Sequence, residues 1–193
     1  NLIEIDLLLG IAGKASGAGA IQRWYHNAVV VSDPQSWVGE LANSFHTNLY
    51  AAYTHEWKLL PNPFGINLAL RSEIAFGSRD SYLQPQAIAF FGRRNSMRST
   101  IAYNRFGSLD REIFFSFSIG YRLVFYDGLL EGNAFGDDSV YVTPSEAGQL
   151  RIGFNFQHRK DKNEYRVGYR YNSEASMNTK SHQYIILAYA RAF

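Results

Sequence analysis

Gln22 and His26 are the residues of this chain best suited to do chemistry. They stand four apart in the stretch 14–27, KASGAGAIQRWYHN, so on a helix they share one face. An imidazole held against a wall and oriented by a neighbouring amide is a competent general base for taking a proton from water. Ala15, Gly17, Ala18, Gly19 and Ala20 are small enough to let such a helix approach a wall closely. The competing reading is a surface helix whose histidine is simply solvated.

Other chemistries find less support. No histidine pair has the His-Glu-x-x-His spacing of a zinc site, and neither a G-x-S-x-G elbow nor a Walker loop is present. With no cysteine, thiolate nucleophiles, thiolate metal sites and disulfide scaffolds are excluded. Asp137 and Asp138 lie in a glycine-rich stretch, where an acidic pair either binds calcium or is solvated.

The elements that must position these residues follow from length and pattern. The 193 residues suit one domain. A formal charge of +2 is too balanced for a nucleic-acid binder driven by phosphate contacts. A mean hydropathy of −0.23, with no apolar run near the length of a membrane helix, excludes a transmembrane helix. Aromatic residues make up 16% of the chain, as in all-β proteins with one wet and one greasy face.

Period-2 alternation dominates. Ile3, Ile5, Leu7, Leu9 and Ile11 oppose Glu4 and Asp6; the runs 45–59, 66–76, 113–125, 150–157, 165–171 and 185–193 repeat the device, while 83–91 and 97–106 alternate less cleanly. These runs number nine. A soluble sandwich or lipocalin-like carrier would bury the greasy face; an outer-membrane barrel turns it to lipid and lines the lumen with the polar face. Both charge signs on the polar face (Glu4, Asp6, Glu56 and Glu73 against Arg71, Arg122, Arg151 and Arg170) and the length of several runs favour the barrel. His46 then faces the lumen and His55 a lipid–water boundary, while His158 and His182 are expected to be exposed. Closed bacterial barrels have even strand numbers, so nine implies a hidden crossing within 127–147, missing N-terminal strands, or both.

Gly10, Ile11, Ala12 and Gly13, followed by Gly17, Gln22, His26 and Trp37, resemble the G-x-x-G, Q-x-x-x-H and G-W block of the outer-membrane lipid A 3′-O-deacylases, the LpxR family. Leu129-Leu130-Glu131-Gly132-Asn133-Ala134-Phe135 resembles that family's L-D-G-N-x-F segment, and the terminal strand ending in Phe193 matches too. The resemblance implies a twelve-stranded, calcium-dependent barrel of about three hundred residues that removes the 3′-linked acyloxyacyl group of lipid A by ester hydrolysis. It implies that His26 activates water and that Gln22 lines the same site. Calcium would polarise the ester carbonyl. The family's Asn-Asp pair, Thr and Lys lie in strands upstream of the helix, which have no counterpart here, so no calcium ligand is assigned. Ser36 stands where the family often has Gly before Trp37, and Glu40 and Ser44 replace its usual Gln and acidic residue.

The expected fold is therefore all-β, an antiparallel transmembrane barrel with about nine strands present of twelve and a short helix in 14–27. Residues 1–193 form a single barrel domain, the C-terminal portion of a longer one. The expected activity is a lipid A deacylase of the bacterial outer membrane, incomplete in this chain. Its expected partners are lipopolysaccharide as substrate and outer-membrane lipid, with no nucleic acid, and it is monomeric. The alternative is a non-catalytic or inactive outer-membrane barrel, porin-like or structural. Counting back nine strands from a periplasmic C-terminus places 14–43 on the inner side, whereas the family places its helix outside. A miscount within 127–147 is the expected source of that conflict.

Overall fold

The computed structural model describes residues 1–29, 41–61, 64–103, 111–135, 142–177 and 179–191. Alternating residues place one side chain in two on each face, and the chain uses this in eight strands: β1 Leu2–Ala12, β2 Ser44–Leu60, β3 Gly65–Gly77, β4 Asp80–Arg93, β5 Glu112–Asp127, β6 Gly148–Lys160, β7 Asn163–Asn172 and β8 His182–Arg191. They form one antiparallel meander in chain order. The sheet curls with its polar face inside, and among the described residues β8 is not paired with β1. Both outer edges present backbone groups that hydrocarbon does not tolerate without a partner.

The greasy face points outward. Ile3, Ile5, Leu7, Leu9 and Ile11 of β1 are 58–68% exposed, and Phe115, Phe117, Ile119, Tyr121 and Phe125 of β5 are also exposed. The inner face instead buries His46, Asn48, Thr54, Ser116, Gln149 and Gln157. A soluble carrier would show the reverse. No described helix is long and apolar enough to cross a membrane; here strands supply the apolar surface. Inside, charges meet. Arg71 pairs with both Glu4 and Glu73, and the Tyr82 hydroxyl donates to Glu73 at 2.5 Å.

A lysine in place of Phe117, mid-strand on the outer face, is expected to cost about 2–4 kcal/mol near a bilayer midplane. Ser118→Glu, one residue on and facing the inner cavity beside Arg170, is expected to cost well under half of that. Denaturant unfolding in lipid vesicles measures both, and equal losses would contradict lipid contact at Phe117.

The described part of the ninth run, 97–103, is not a strand. Ser96 accepts backbone bonds from Ser99 (2.9 Å) and Thr100 (3.0 Å), and a 3-10 turn, Ile101–Tyr103, follows. It folds into the lumen, leaving Ile101 2% and Tyr103 8% exposed. These side chains pack with Ala69, Phe90 and Phe114 into the apolar core, and Ile88 leans on the same cluster. The run 83–91 alternates poorly for the same reason: its inward positions at Ile88 and Phe90 are apolar because they meet this plug.

Among the described residues the strands number eight rather than nine. The described residues of 127–147 form no further strand, only an isolated bridge, Ser145 to Ser176; 136–141 lie outside the described residues. The miscount fell on 97–106. With it corrected, connections 13–43, 78–79, 128–147 and 173–181 share one end of the sheet, and 61–64, 94–111 and 161–162 share the other. Outer-membrane barrels carry their longer loops outside. The helix lies at the end opposite to where β8 finishes, so counting eight strands back from a periplasmic C-terminus puts 14–43 on the outer side, and the conflict with the side expected from the resemblance disappears.

Candidate functional site

A glycine-bounded turn launches the helix from the top of β1. Gly13 adopts φ +79°, and a Cβ on it would lie 2.6 Å from the carbonyl oxygens of both Leu41 and Ala42. A 3-10 turn, Lys14–Ser16, follows, held to the start of β2 by a 2.7 Å bond from the Ala15 amide to Asn43 Oδ1. The Ser16 hydroxyl donates to Gly13 O at 2.7 Å and accepts the Ala18 amide at 3.3 Å, serving an orphan donor of the helix start. Helix α1 then runs Ala18–Val29.

Gly13→Ala is expected to lose about 1–3 kcal/mol from a backbone conformation (φ +79°, ψ −164°) open essentially only to glycine, with the carbonyl clash added. Thermal unfolding in detergent measures the loss, and an unchanged midpoint would contradict the clamp between the two chain segments.

One face of α1 is half-buried and carries Gly19, Gln22 and His26. The structure thus brings the two candidate site residues together on the less exposed side of the helix, as their spacing predicted. Ile21 (65% exposed) and Trp24 (69%) lie on the opposite side, with Tyr25 between; its ring meets that of His26 edge-on, centroids 6.2 Å apart. An apolar aromatic stripe beside a barrel mouth suits the membrane–water interface.

The other histidines divide as follows. His46 faces the lumen as expected and is 4% exposed, its Nε2 2.8 Å from the Ser44 hydroxyl. His55 is on the outer face near the short-turn end, edge-on to Trp57 with centroids 4.3 Å apart. His182 is exposed. His158, expected to be exposed, is half-buried with its Nε2 enclosed, because its ring lies against Tyr165.

The segment 129–135 lies at the same end as α1 and is stapled by its own backbone. Asp127 accepts the Leu129 amide at 3.0 Å, the Tyr126 hydroxyl donates to Gly132 O at 2.8 Å, and Glu131 accepts both the amide and the hydroxyl of Ser145. Desolvation pushes the Glu131 carboxyl up, but the Ser145 bonds outweigh it and hold the group below the usual carboxylate range. Sequence reasoning missed this staple and the Asn43 clamp: a lone Glu or Asn in a loop gives no signal until its partner is known. Trp37, Ser36, Glu40, Asp137, Asp138 and Phe193 lie outside the described residues. Among the described residues no three His, Asp or Glu side chains are grouped to hold a metal ion.

The model of the family described as "Outer membrane protein LpxR" matches residues 1–193. The chain belongs to the LpxR family. Its fold is similar to that of LpxR from Salmonella typhimurium, with a TM-score of 0.83 at 12% identity, over 99% of this chain and 67% of that one. No curated protein matches the sequence. Membership places this LpxR-family chain in the outer membrane, in agreement with its outward greasy face. It also agrees with a single curled antiparallel sheet carrying one short helix at the long-loop end.

Proposed function

We propose that this LpxR-family chain acts as a monomeric outer-membrane esterase that hydrolyses the 3′-linked acyloxyacyl ester of lipid A. The observation that carries the proposal is Gln22 and His26 together on the half-buried face of α1, at the outer end of a barrel wall whose outward side chains are apolar. Lipid A presents its sugar at the headgroup level and its acyl chains below. A helix whose apolar stripe of Ile21 and Trp24 sits at that level sets its other face beside the sugar–acyl ester.

The chemistry follows from the residue types. A neutral imidazole of His26 takes a proton from a water molecule as that oxygen attacks the ester carbonyl carbon. The tetrahedral adduct collapses with cleavage of the bond between the acyl carbon and the sugar oxygen. The proton on the imidazolium passes to the departing sugar oxygen, giving a free hydroxyl and an acyloxyacyl acid. Gln22, one turn before His26, supplies amide donors and an acceptor to orient water or the ester. No covalent intermediate is needed. The resemblance implies calcium at the developing oxyanion, but the described residues do not form its site, and no step here runs through it.

The test is the mass of lipid A from outer membranes carrying the full-length protein, with calcium supplied. Loss of the mass of the 3′ acyloxyacyl group is expected. Unaltered lipid A from a protein shown to be folded in the membrane would overturn the proposal in favour of an inert barrel.

A further inference from the structure

Away from α1, two lumen guanidiniums form no direct ion pair among the described residues. Carboxylates and guanidiniums mostly pair within the lumen: Glu4 and Glu73 with Arg71, Glu56 with Arg94, Glu112 with Arg159, and Glu164 with Arg166. Arg122 of β5 and Arg151 of β6 do not. Arg122 has one hydrogen bond among the described residues, from Nε to Gln84 Oε1 at 2.8 Å, and its guanidinium carbon sits 3.6 Å over the Tyr82 ring. Arg151 makes none, and its Nε is enclosed without a partner.

The register puts these two on one face. Arg122 is opposite Gln149 and Arg151 opposite Gly120, so they are diagonal neighbours with backbones about 7–8 Å apart. Both line a cavity of about 200 Å³ with Arg79, Asp80, Tyr82 and Asp127. The two acids are engaged elsewhere: Asp80 by Arg79 and the Tyr50 hydroxyl, and Asp127 by the Leu129 amide. Since Arg79 belongs to the β3–β4 turn and Ala175 to the connection 173–181, the cavity lies at the outer mouth of the lumen.

We propose that this cavity is an oxyanion site that takes a phosphate group between Arg122 and Arg151. A buried guanidinium N–H without an acceptor is costly, and two cations side by side raise that cost. A tetrahedral dianion satisfies both: each guanidinium offers it two N–H groups, and such charge-assisted bonds are the strongest available to arginine. The cavity has room for one phosphate and faces the side where phosphorylated headgroups and free anions both occur. The site is separate from His26 and does not depend on the esterase reading.

Calorimetric titration of inorganic phosphate into the full-length protein in neutral detergent, at low ionic strength, tests this. Saturable one-site binding is expected, weakened at least tenfold in both Arg122→Gln and Arg151→Gln. Lys162→Gln, in the turn at the opposite end, should leave it unchanged. Arg151→Lys, which keeps the charge, should bind better than Arg151→Gln and guards against misfolding as the cause. No saturable binding, or binding that survives both glutamine substitutions, would overturn the site. Competition then identifies the source. Displacement by phosphorylated but not dephosphorylated lipid A assigns a headgroup phosphate, and displacement by neither assigns the free anion.

Discussion

Asparagine in place of His26 in the full-length protein is expected to slow release of the 3′ acyloxyacyl group by about 10²–10⁴-fold, the usual contribution of a positioned general base. Asparagine retains hydrogen bonding and comparable bulk but cannot accept and return the proton. The position is half-buried on a helix with no fully buried residue, so the substitution should leave the barrel intact. Gln22→Ala, which removes an orienting group and not the proton acceptor, should have the smaller effect. Initial rates on purified lipopolysaccharide, beside the far-ultraviolet spectrum and heat-modifiable gel mobility of each variant, separate lost chemistry from lost fold. Full activity in a folded His26→Asn protein would remove His26 from the reaction.

The largest expected effect on stability is at the plug. Glu112 is completely buried and pairs with Arg159 at 2.8 Å. It also accepts the amides of Asn95 at 2.7 Å and Ile101 at 3.1 Å. One carboxylate thus ties the start of β5 to β6 and to both ends of the turn that carries Ile101 and Tyr103. Glu112→Ala strands two buried amides and takes this carboxylate from the buried Arg159, a change expected to cost about 3–5 kcal/mol. Glu112→Gln keeps an acceptor for the amides and should cost less. Combining Glu112→Gln with Arg159→Met should recover part of the loss, because the buried charge leaves with its partner. Urea unfolding in detergent micelles reads all three variants. A loss below 1 kcal/mol for the alanine variant would contradict the anchoring role.

This plug also marks where the sequence ceased to be legible. In the strands, period-2 alternation identified the outward residues of β1, β2, β3 and β5 correctly, because a wall between lipid and a polar lumen writes its two solvents into alternate positions. The Gln22–His26 face of α1 was legible by the same logic at helical spacing. Residues 97–106 alternate as well, yet Ile101 and Tyr103 turn inward on a 3-10 turn. What decides their structure is a carboxylate eleven residues on and Arg94, whose guanidinium stacks 4.1 Å from the Phe90 ring centre. Such partners are remote in the chain, and no local period reports them. A single misread run also inverted the expected side of the helix, since parity propagates through a meander. Arg122 and Arg151 each read as ordinary lumen charges, and only the register shows that they are neighbours.

On the proposed reading, the half-buried face of α1 looks onto a glycolipid ester in the outer leaflet. The most direct measurement is photo-cross-linking from position 22 in intact outer membranes, with a benzophenone-bearing residue replacing Gln22 and leaving His26 in place. Adducts to lipid A are expected from this position, with none from the same group at Lys162 in the opposite turn. Adducts to inner-leaflet phospholipid, or none to lipid A from a folded protein, would contradict the account.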